Sequence, residues 1–293
     1  MPSTTDLPLL CPLCPSPLEL LADPAGQSRL VCPSGHSFDA ARQGYFNLLV
    51  GKGTSFEADT AGMVQARSDF LGKGHYLPLA DAVTAAVVPF LPEERAALLD
   101  SGTGTGHYLR TLLDAAVRQG RKVAAVGLDI SKFALRRAAR LNPEAVNLVS
   151  DIWRPLPLAD NSVDAVTVIF APRNVAEFAR VLRATGRLVV VTPRSGHLAA
   201  LAAVTGMLGI EEGKEARLAE AMTGHFDVES TSAVDISLAL SREEAADLAL
   251  MGPAGHHLDR DAVSARLQDL PEPVRAEAKF QLMVFRPRND AAT

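Results

Sequence analysis

The chain has 293 residues, 47% of them hydrophobic and 22% charged, with a formal net charge of −5. That length carries one full-sized core and a small accessory unit; no run approaches the roughly 20 apolar residues of a membrane span, the start lacks the basic and apolar regions of an export signal, and the acidic balance opposes a surface coated in basic patches for nucleic acid. The cysteine count is three, an odd number that excludes a disulfide framework and points to a reduced, cytoplasmic setting.

Those three cysteines and one histidine form the first motif, Cys11, Cys14, Cys32 and His36. The spacing is C-x2-C, seventeen residues, then C-x3-H, two short knuckles that each present two ligands to a tetrahedral ion. Pro12, Pro15 and Pro33 stiffen the turns, and Gly35 suits the left-handed conformation such a knuckle uses. Four protein ligands close the coordination shell, so the metal reads as a structural Zn2+ rather than a catalytic one. The stretch 1–50 is expected to form this zinc unit and to end in a short strand at Leu49.

Residues 51–62, rich in Gly, Ser and Thr and without apolar periodicity, read as a linker or substrate loop, which we extend to 51–75. Apolar residues at helical spacing continue to residue 90, with breaks at Gly72 and Gly74. From Ala96 the pattern alternates: short apolar runs at 96–100, 123–129, 146–150, 164–170 and 187–192 suit strands buried on both faces of a parallel sheet, with helices between them. Runs at 226–238 and 278–287 bracket two helices and are expected at the sheet edge, one of them antiparallel. The unit 76–293 is thus an α/β domain.

Asp100, Gly102, Gly104, Gly106, His107 and Tyr108 follow the first of these strands and lead into a helix. The alternate glycines permit a tight turn and close approach to a ligand. A dinucleotide fingerprint requires glycine where His107 stands, and the G-K-[ST] ending of a phosphate loop is missing. Asp129 ends the second strand, where an acid accepts ribose hydroxyls, and Asp151-Ile152 follow the third, placed for an adenine amino group and face. This order of glycine loop and acids resembles the class I S-adenosylmethionine-dependent methyltransferases; a lone glycine turn, or Asp129 as a helix cap, is the plainer reading of each signal alone.

In an open parallel sheet the acceptor meets the cofactor beyond the carboxyl ends of the strands. The loops after strands four and five carry Arg173, Asn174, Arg194 and His197 as candidate substrate contacts, with helix capping by Asn174 and solvated arginines as the plainer alternative. The Asp/Asn-Pro-Pro-aromatic signature of exocyclic amino methyltransferases is missing. A second basic cluster, Lys132, Arg136 and Arg140, lies on one helix face and reads first as solvated.

QGYFNLL (43–49), ADTAGMVQAR (58–67), GHYLPL (74–79), DSGTGTGHYL (100–109), LDISKFALRRAAR (128–140), FAPRN (170–174) and VTPRSGHLAAL (191–201), beside the zinc pattern, resemble the RlmA family of 23S rRNA guanine-N1-methyltransferases. FAPRN, KEARLAE (214–220) and LMGP (250–253) look most like its second subgroup, which includes the tylosin-resistance methyltransferase TlrB. The resemblance implies a Rossmann-like, seven-stranded, mostly parallel sheet, an N-terminal zinc domain that recognises an RNA hairpin, S-adenosylmethionine as cofactor, methylation of guanine N1 of the guanine(748) type, an effect on macrolide sensitivity, and a homodimer. His197 is the candidate proton acceptor, with His107 and Asp59 beside it, but spacing singles out none of them. Residues 1–75 hold five Lys/Arg against seven Asp/Glu, so RNA contact requires Arg29, Arg42, Lys52, Arg67 and Lys73 on one face or stacking by Phe38, Tyr45 and Phe46. A small-molecule methyltransferase, with Phe56 and the apolar run 198–210 lining its pocket, and a non-catalytic RNA-binding protein are the competing readings.

Overall fold

The computed structural model describes residues 7–22, 26–51, 53–207 and 219–288. Lys52, 208–210 and 214–218, which figure in the sequence reading, lie outside them. Three short strands, β1 (Glu19–Ala22), β2 (Ser28–Val31) and β3 (Ser37–Asp39), pair antiparallel as a ribbon. The remaining strands are β4 (Tyr45–Asn47), β5 (Ala96–Ser101), β6 (Val123–Asp129), β7 (Val146–Val149), β8 (Val163–Ile169), β9 (Leu182–Pro193), β10 (Phe226–Leu240) and β11 (Val274–Pro287). They form one sheet in the order β10-β11-β9-β8-β5-β6-β7-β4. Only β11 runs against its neighbours, which meets the expectation for the two C-terminal runs.

Among the described residues the sheet has eight strands where seven are expected. The extra one is β4, which pairs parallel with β7 through Tyr45–Asn147, Phe46–Leu148 and Asn47–Val149. The strand assigned by sequence to the zinc unit therefore closes the edge of the large sheet. Its aromatic residues account for this: Tyr45 and Phe46 are buried, on opposite sides of the strand in separate core clusters.

Helices α1 (Ala61–Gly72), α2 (Leu77–Val87) and α3 (His107–Arg118) precede and follow β5; α4 (Lys132–Leu141), α5 (Val175–Val181) and α6 (Ala199–Thr205) come next, then α7 (Arg242–Leu250) and α8 (Arg260–Leu267). Alternation along β5 splits the core: Ala96 and Leu98 face the cluster built with α1–α3, α7 and α8, while Ala97 and Leu99 face the cluster shared with α5. The second cluster continues into the ribbon, where Leu9, Leu18, Leu30, Cys11 and Cys32 pack with Leu156, Leu158 and Phe178. A Leu9–Leu158 bridge and the bonds Leu10 N–H to Pro157 O and Ala159 N–H to Pro8 O tie the ribbon to the segment after β7. The stretch 51–75 also divides: α1 buries Met63, Val64, Ala66, Phe70 and Leu71 in the core, so loop remains only before α1 and in the turn from Lys73 that leads to α2.

Candidate active site and metal centre

The knuckles bring Cys11, Cys14, Cys32 and His36 together, with all four ligand atoms within 4.8 Å of one another. Cys11 Sγ and Cys32 Sγ lie 3.6 and 3.4 Å from His36 Nδ1, and the Cys14 and Cys32 sulfurs are 3.6 Å apart. Bonds of about 2.0–2.3 Å to a tetrahedral zinc separate its ligands by about 3.3–3.8 Å, so this donor set fits the ion. The turn is built for it: Gly35, at φ +85°, donates to Cys32 O, and the Leu13 N–H points at Cys11 Sγ.

The glycine loop leaves β5 at Ser101 and enters α3. Gly102, Gly104 and Gly106 all have positive φ, and two of them are also sterically required. A Cβ on Gly102 would lie 2.2 Å from that of Ala171, and one on Gly106 would lie 2.4 Å from Asn142 Nδ2. Gly102 N–H and Thr103 N–H both donate to Leu128 O, which fixes the loop to the end of β6. Asp129 accepts from Gly104 N–H and Ser131 N–H, each at 2.8 Å. Burial raises its carboxyl above the ordinary range.

Asp100 is buried and accepts the Thr167 hydroxyl at 2.7 Å; burial pushes its carboxyl up to about 6. Asp151 accepts the Trp153 N–H at 2.9 Å and the Thr54 hydroxyl at 2.8 Å. The adjoining Ile152 accepts at its carbonyl from the Asn174 carboxamide. The loop's polar side chains are under-satisfied: Ser101 Oγ, Thr103 Oγ1, His107 Nε2 and the Tyr108 hydroxyl are buried without a hydrogen-bond partner among the described residues. Buried polar groups left in this way are those a ligand would complete. Three acids at the ends of β5, β6 and β7 repel a polyphosphate but suit hydroxyls, an exocyclic amine and a cationic ligand. The residues thus fit S-adenosylmethionine.

The predicted acceptor residues fare differently. Asn174 caps α5, its carboxamide oxygen accepting from Glu177 N–H while its nitrogen donates to Ile152, so both ends are engaged. Arg194 is paired with Asp235 at 2.5 Å and donates to Phe280 O. Arg173 stands apart: burial lowers its pKa, its only hydrogen bond is a long one to Ala171 O, and no carboxylate faces it among the described residues. His197 Nδ1 lies 3.1 Å from both the N–H and the carbonyl oxygen of Lys279, so either tautomer engages it there. Its ring packs 4.8 Å from Phe280, and burial pulls its pKa down to about 4. That environment makes it a weak base.

Of the residues expected to meet RNA, Tyr45 and Phe46 are core and unavailable for stacking. Arg67 is turned to the glycine loop and not to an outer face. Lys132, Arg136 and Arg140 are exposed, whereas Arg137 binds Gln65 and Ser68 of α1. Sequence reasoning missed Thr54 and Phe170. Phe170 follows β8 with φ +57°, is 44% exposed and lies 5.3 Å from Phe280. Its ring lies 6.4 Å from Tyr108, so this strained and open aromatic residue borders the glycine loop. The FAPRN motif was its only signal.

The family described as "RlmA, N-terminal" matches residues 9–52, and that described as "Methyltransferase domain" matches 99–190. The chain is 42% identical over 292 residues to a Micromonospora griseorubida protein assigned as a 23S rRNA (guanine-N1-)-methyltransferase, covering 95% of this chain and 97% of that one. It is 37% identical to the 23S rRNA (guanine(748)-N1)-methyltransferase of Streptomyces fradiae, covering 95% and 96%. A chain from the complex of the Haloferax volcanii Trm112 methyltransferase activator with a methyltransferase shares the fold at TM-score 0.52 and 19% identity, over 79% of this chain and 99% of that one.

Proposed function

The chain belongs to the RlmA family of 23S rRNA (guanine-N1-)-methyltransferases, and from that premise we propose that it transfers a methyl group from S-adenosylmethionine to guanine N1 in a hairpin loop of 23S rRNA, of the guanine(748) type. It is a zinc-bearing, S-adenosylmethionine-dependent methyltransferase. Cys11, Cys14, Cys32 and His36 would hold the zinc, which folds the ribbon. Asp129 would hold the ribose, and Asp151 and Ile152 the adenine. Gly102, Gly104, Gly106, His107 and Tyr108 would shape the wall against the rest of the cofactor, with Asp100 beneath it. When bound, the cofactor supplies a methyl already activated on a sulfonium. The protein's part is placement of the acceptor and exclusion of competing geometries.

Guanine N1 loses a proton as it takes the methyl. Burial disfavours the protonated form of both His197 and His107, and Asp59 is engaged by Arg67 at 2.5 Å. We assign the proton to solvent. The exposed ring of Phe170 would stack on the guanine, and the unpaired Arg173 would face its oxygen or a phosphate. An rRNA substrate places the protein in the cytoplasm, and a homodimer is the assembly the family resemblance implies; light scattering in solution tests it.

The observation that carries this reading is the continuous core from ribbon to cleft: Cys11 and Cys32 pack in the same cluster as Leu156 and Leu158, a few residues beyond Asp151. The test is incubation with labelled cofactor and unmodified 23S rRNA, followed by primer extension. A stop at a single hairpin-loop guanine is expected, because N1 methylation blocks pairing. Label in small metabolites alone would instead identify a small-molecule methyltransferase, and tight RNA binding without label would identify a binding protein.

A further inference from the structure

Arg67 sits on the second turn of α1, which Thr60 caps through Met63 N–H and which Ala66, Phe70 and Leu71 anchor in the core. Its side chain leaves that core and crosses to the glycine loop. A Cβ on Gly104 would lie 3.6 Å from Arg67 Nη1 and 3.9 Å from Cδ, ordinary van der Waals contact. The guanidinium donates to Asp59 Oδ2 and to Met251 O, both at 2.5 Å. These two bonds use two of the five N–H groups that an arginine carries. The side chain is 23% exposed, enclosed but reachable.

Tyr108 approaches the same place from the first turn of α3. Its hydroxyl is buried and has no hydrogen-bond partner among the described residues. Its ring is held by His107 at 5.3 Å and Phe170 at 6.4 Å. The Arg67 charge is close enough to favour ionisation of Tyr108 against the strong opposing effect of burial. A guanidinium beside Gly104 and an unpartnered phenolic hydroxyl from the first turn of α3 thus both border the glycine loop, among the carboxylates of Asp59, Asp100 and Asp129.

The ligand's chemistry sorts itself onto this arrangement. S-adenosylmethionine carries a sulfonium and an ammonium, both cationic, and one anion, the α-carboxylate. Carboxylates pair best with guanidinium donors, and a neutral hydroxyl donor adds to the pair without a charge penalty. We propose that Arg67 and the Tyr108 hydroxyl together form the subsite for the α-carboxylate of the cofactor's methionine portion. Asp59 is then a positioning residue, which orients the guanidinium and holds its charge balanced. Asp100, at the end of β5 where the loop begins, is left to face the ammonium. This rests on the cofactor placement proposed above and is independent of the RNA substrate.

The test compares two ligands by calorimetry on the full chain without RNA: S-adenosylhomocysteine, and its decarboxylated analogue 5′-deoxy-5′-(3-aminopropylthio)adenosine, which keeps the amine and lacks only the carboxylate. The wild type should favour the first by about 10- to 100-fold, the range for a charge-assisted contact. Arg67→Met should shrink that preference to within about 3-fold while leaving the affinity for the decarboxylated ligand unchanged. Arg67→Lys should restore part of it. Tyr108→Phe, which removes one oxygen and keeps the ring, should narrow the preference by about 5-fold and serves even where Arg67→Met fails to fold. Equal weakening of both ligands in the two variants would show a structural role and overturn the assignment, as would unchanged binding of S-adenosylhomocysteine. Failure of the wild type to bind S-adenosylhomocysteine would overturn the cofactor placement itself.

Discussion

The Thr54 hydroxyl donates a 2.8 Å hydrogen bond to the Asp151 carboxylate, across 97 residues of sequence. That bond ties the segment before α1 to the end of β7, and further contacts carry the same segment along the cleft. Arg154 donates to Val50 O and Gly53 O, Phe56 packs 6.1 Å from Trp153, and Ser131 Oγ donates to Asp59 O beyond β6. The strap therefore crosses the carboxyl ends of β7 and β6 and reaches Arg67 at the glycine loop. The stretch read from the sequence as a linker or substrate loop thus lies across these strand ends, where we propose that the cofactor sits.

Thr54→Val keeps the side-chain shape and removes the bond. The strap should then open more often, with faster amide exchange over residues 53–59. Cofactor dissociation should speed up by about 5-fold, the equivalent of one hydrogen bond of about 1 kcal/mol. Stopped-flow displacement checks it: faster exchange with an unchanged dissociation rate would show that the strap covers the cleft without gating it.

The glycine loop gives a steric prediction. Gly106 has φ +82°, and an added Cβ would meet Asn142 Nδ2 at 2.4 Å and Ala138 Cα at 3.0 Å. The same asparagine nitrogen donates to Gly106 O at 3.0 Å, so it cannot withdraw without loss of that bond. Gly106→Ala should destabilise the protein by about 2–4 kcal/mol, from backbone strain and overpacking together. Urea unfolding measures this, and a change below about 0.5 kcal/mol would mean that α3 shifts freely, which its packing contradicts.

Much of this cleft was legible before the structure because its signals are local. Glycines at alternate positions and acids at strand ends are fixed by the backbone near them, and Asp100, Asp129 and Asp151 fall at the ends of β5, β6 and β7 as expected. Thr54 and Arg67 were not legible as cleft residues, since their roles depend on where a loop and a helix from before the sheet come to lie. Asn174 and Arg194 show the reverse, Asn174 taking the helix-cap role that was its plainer alternative. Their residue types suit a substrate, but local partners, Glu177 N–H and Asp235, take up those groups. Which sheet β4 joins was not legible for a similar reason: three residues are too short to reveal it.

The zinc centre should influence more than the ribbon. Cys14→Ser removes one of four ligands, and the metal is expected to leave with it. A ribbon attached only by its chain would unfold alone. Here Leu9, Leu18 and Leu30 pack against Leu156, Leu158 and Phe178, so loss of zinc should lower the melting temperature of the whole protein and weaken cofactor binding through the segment after Asp151. Thermal melts, metal analysis and calorimetry on the variant decide it. Loss of zinc with melting and cofactor affinity both unchanged would refute the coupling.

Asp100 sets the expected pH dependence. Burial raises its pKa from 3.8 to about 6, the Thr167 hydroxyl partly opposes that, and Asp129 adds to it. The folded state thus binds this proton more tightly than the unfolded chain. As pH rises from about 4 to 6, the unfolded state releases the proton first, so the contribution of Asp100 to stability falls across that window and is least favourable above 6. Asp100→Asn should relieve a cost of up to about 3 kcal/mol at pH 7 and almost none at pH 4. Cofactor binding should move the other way. The ligand's ammonium, facing Asp100, favours the ionised carboxylate, so affinity should rise as pH increases through 6 and weaken toward about 10-fold per pH unit well below it. Asp100→Asn should bind more weakly and lose most of that slope between pH 5 and 7. Calorimetry of S-adenosylhomocysteine across this range checks both effects, and a slope that survives intact in the variant would assign the titration to another group, of which Asp129 is the nearest.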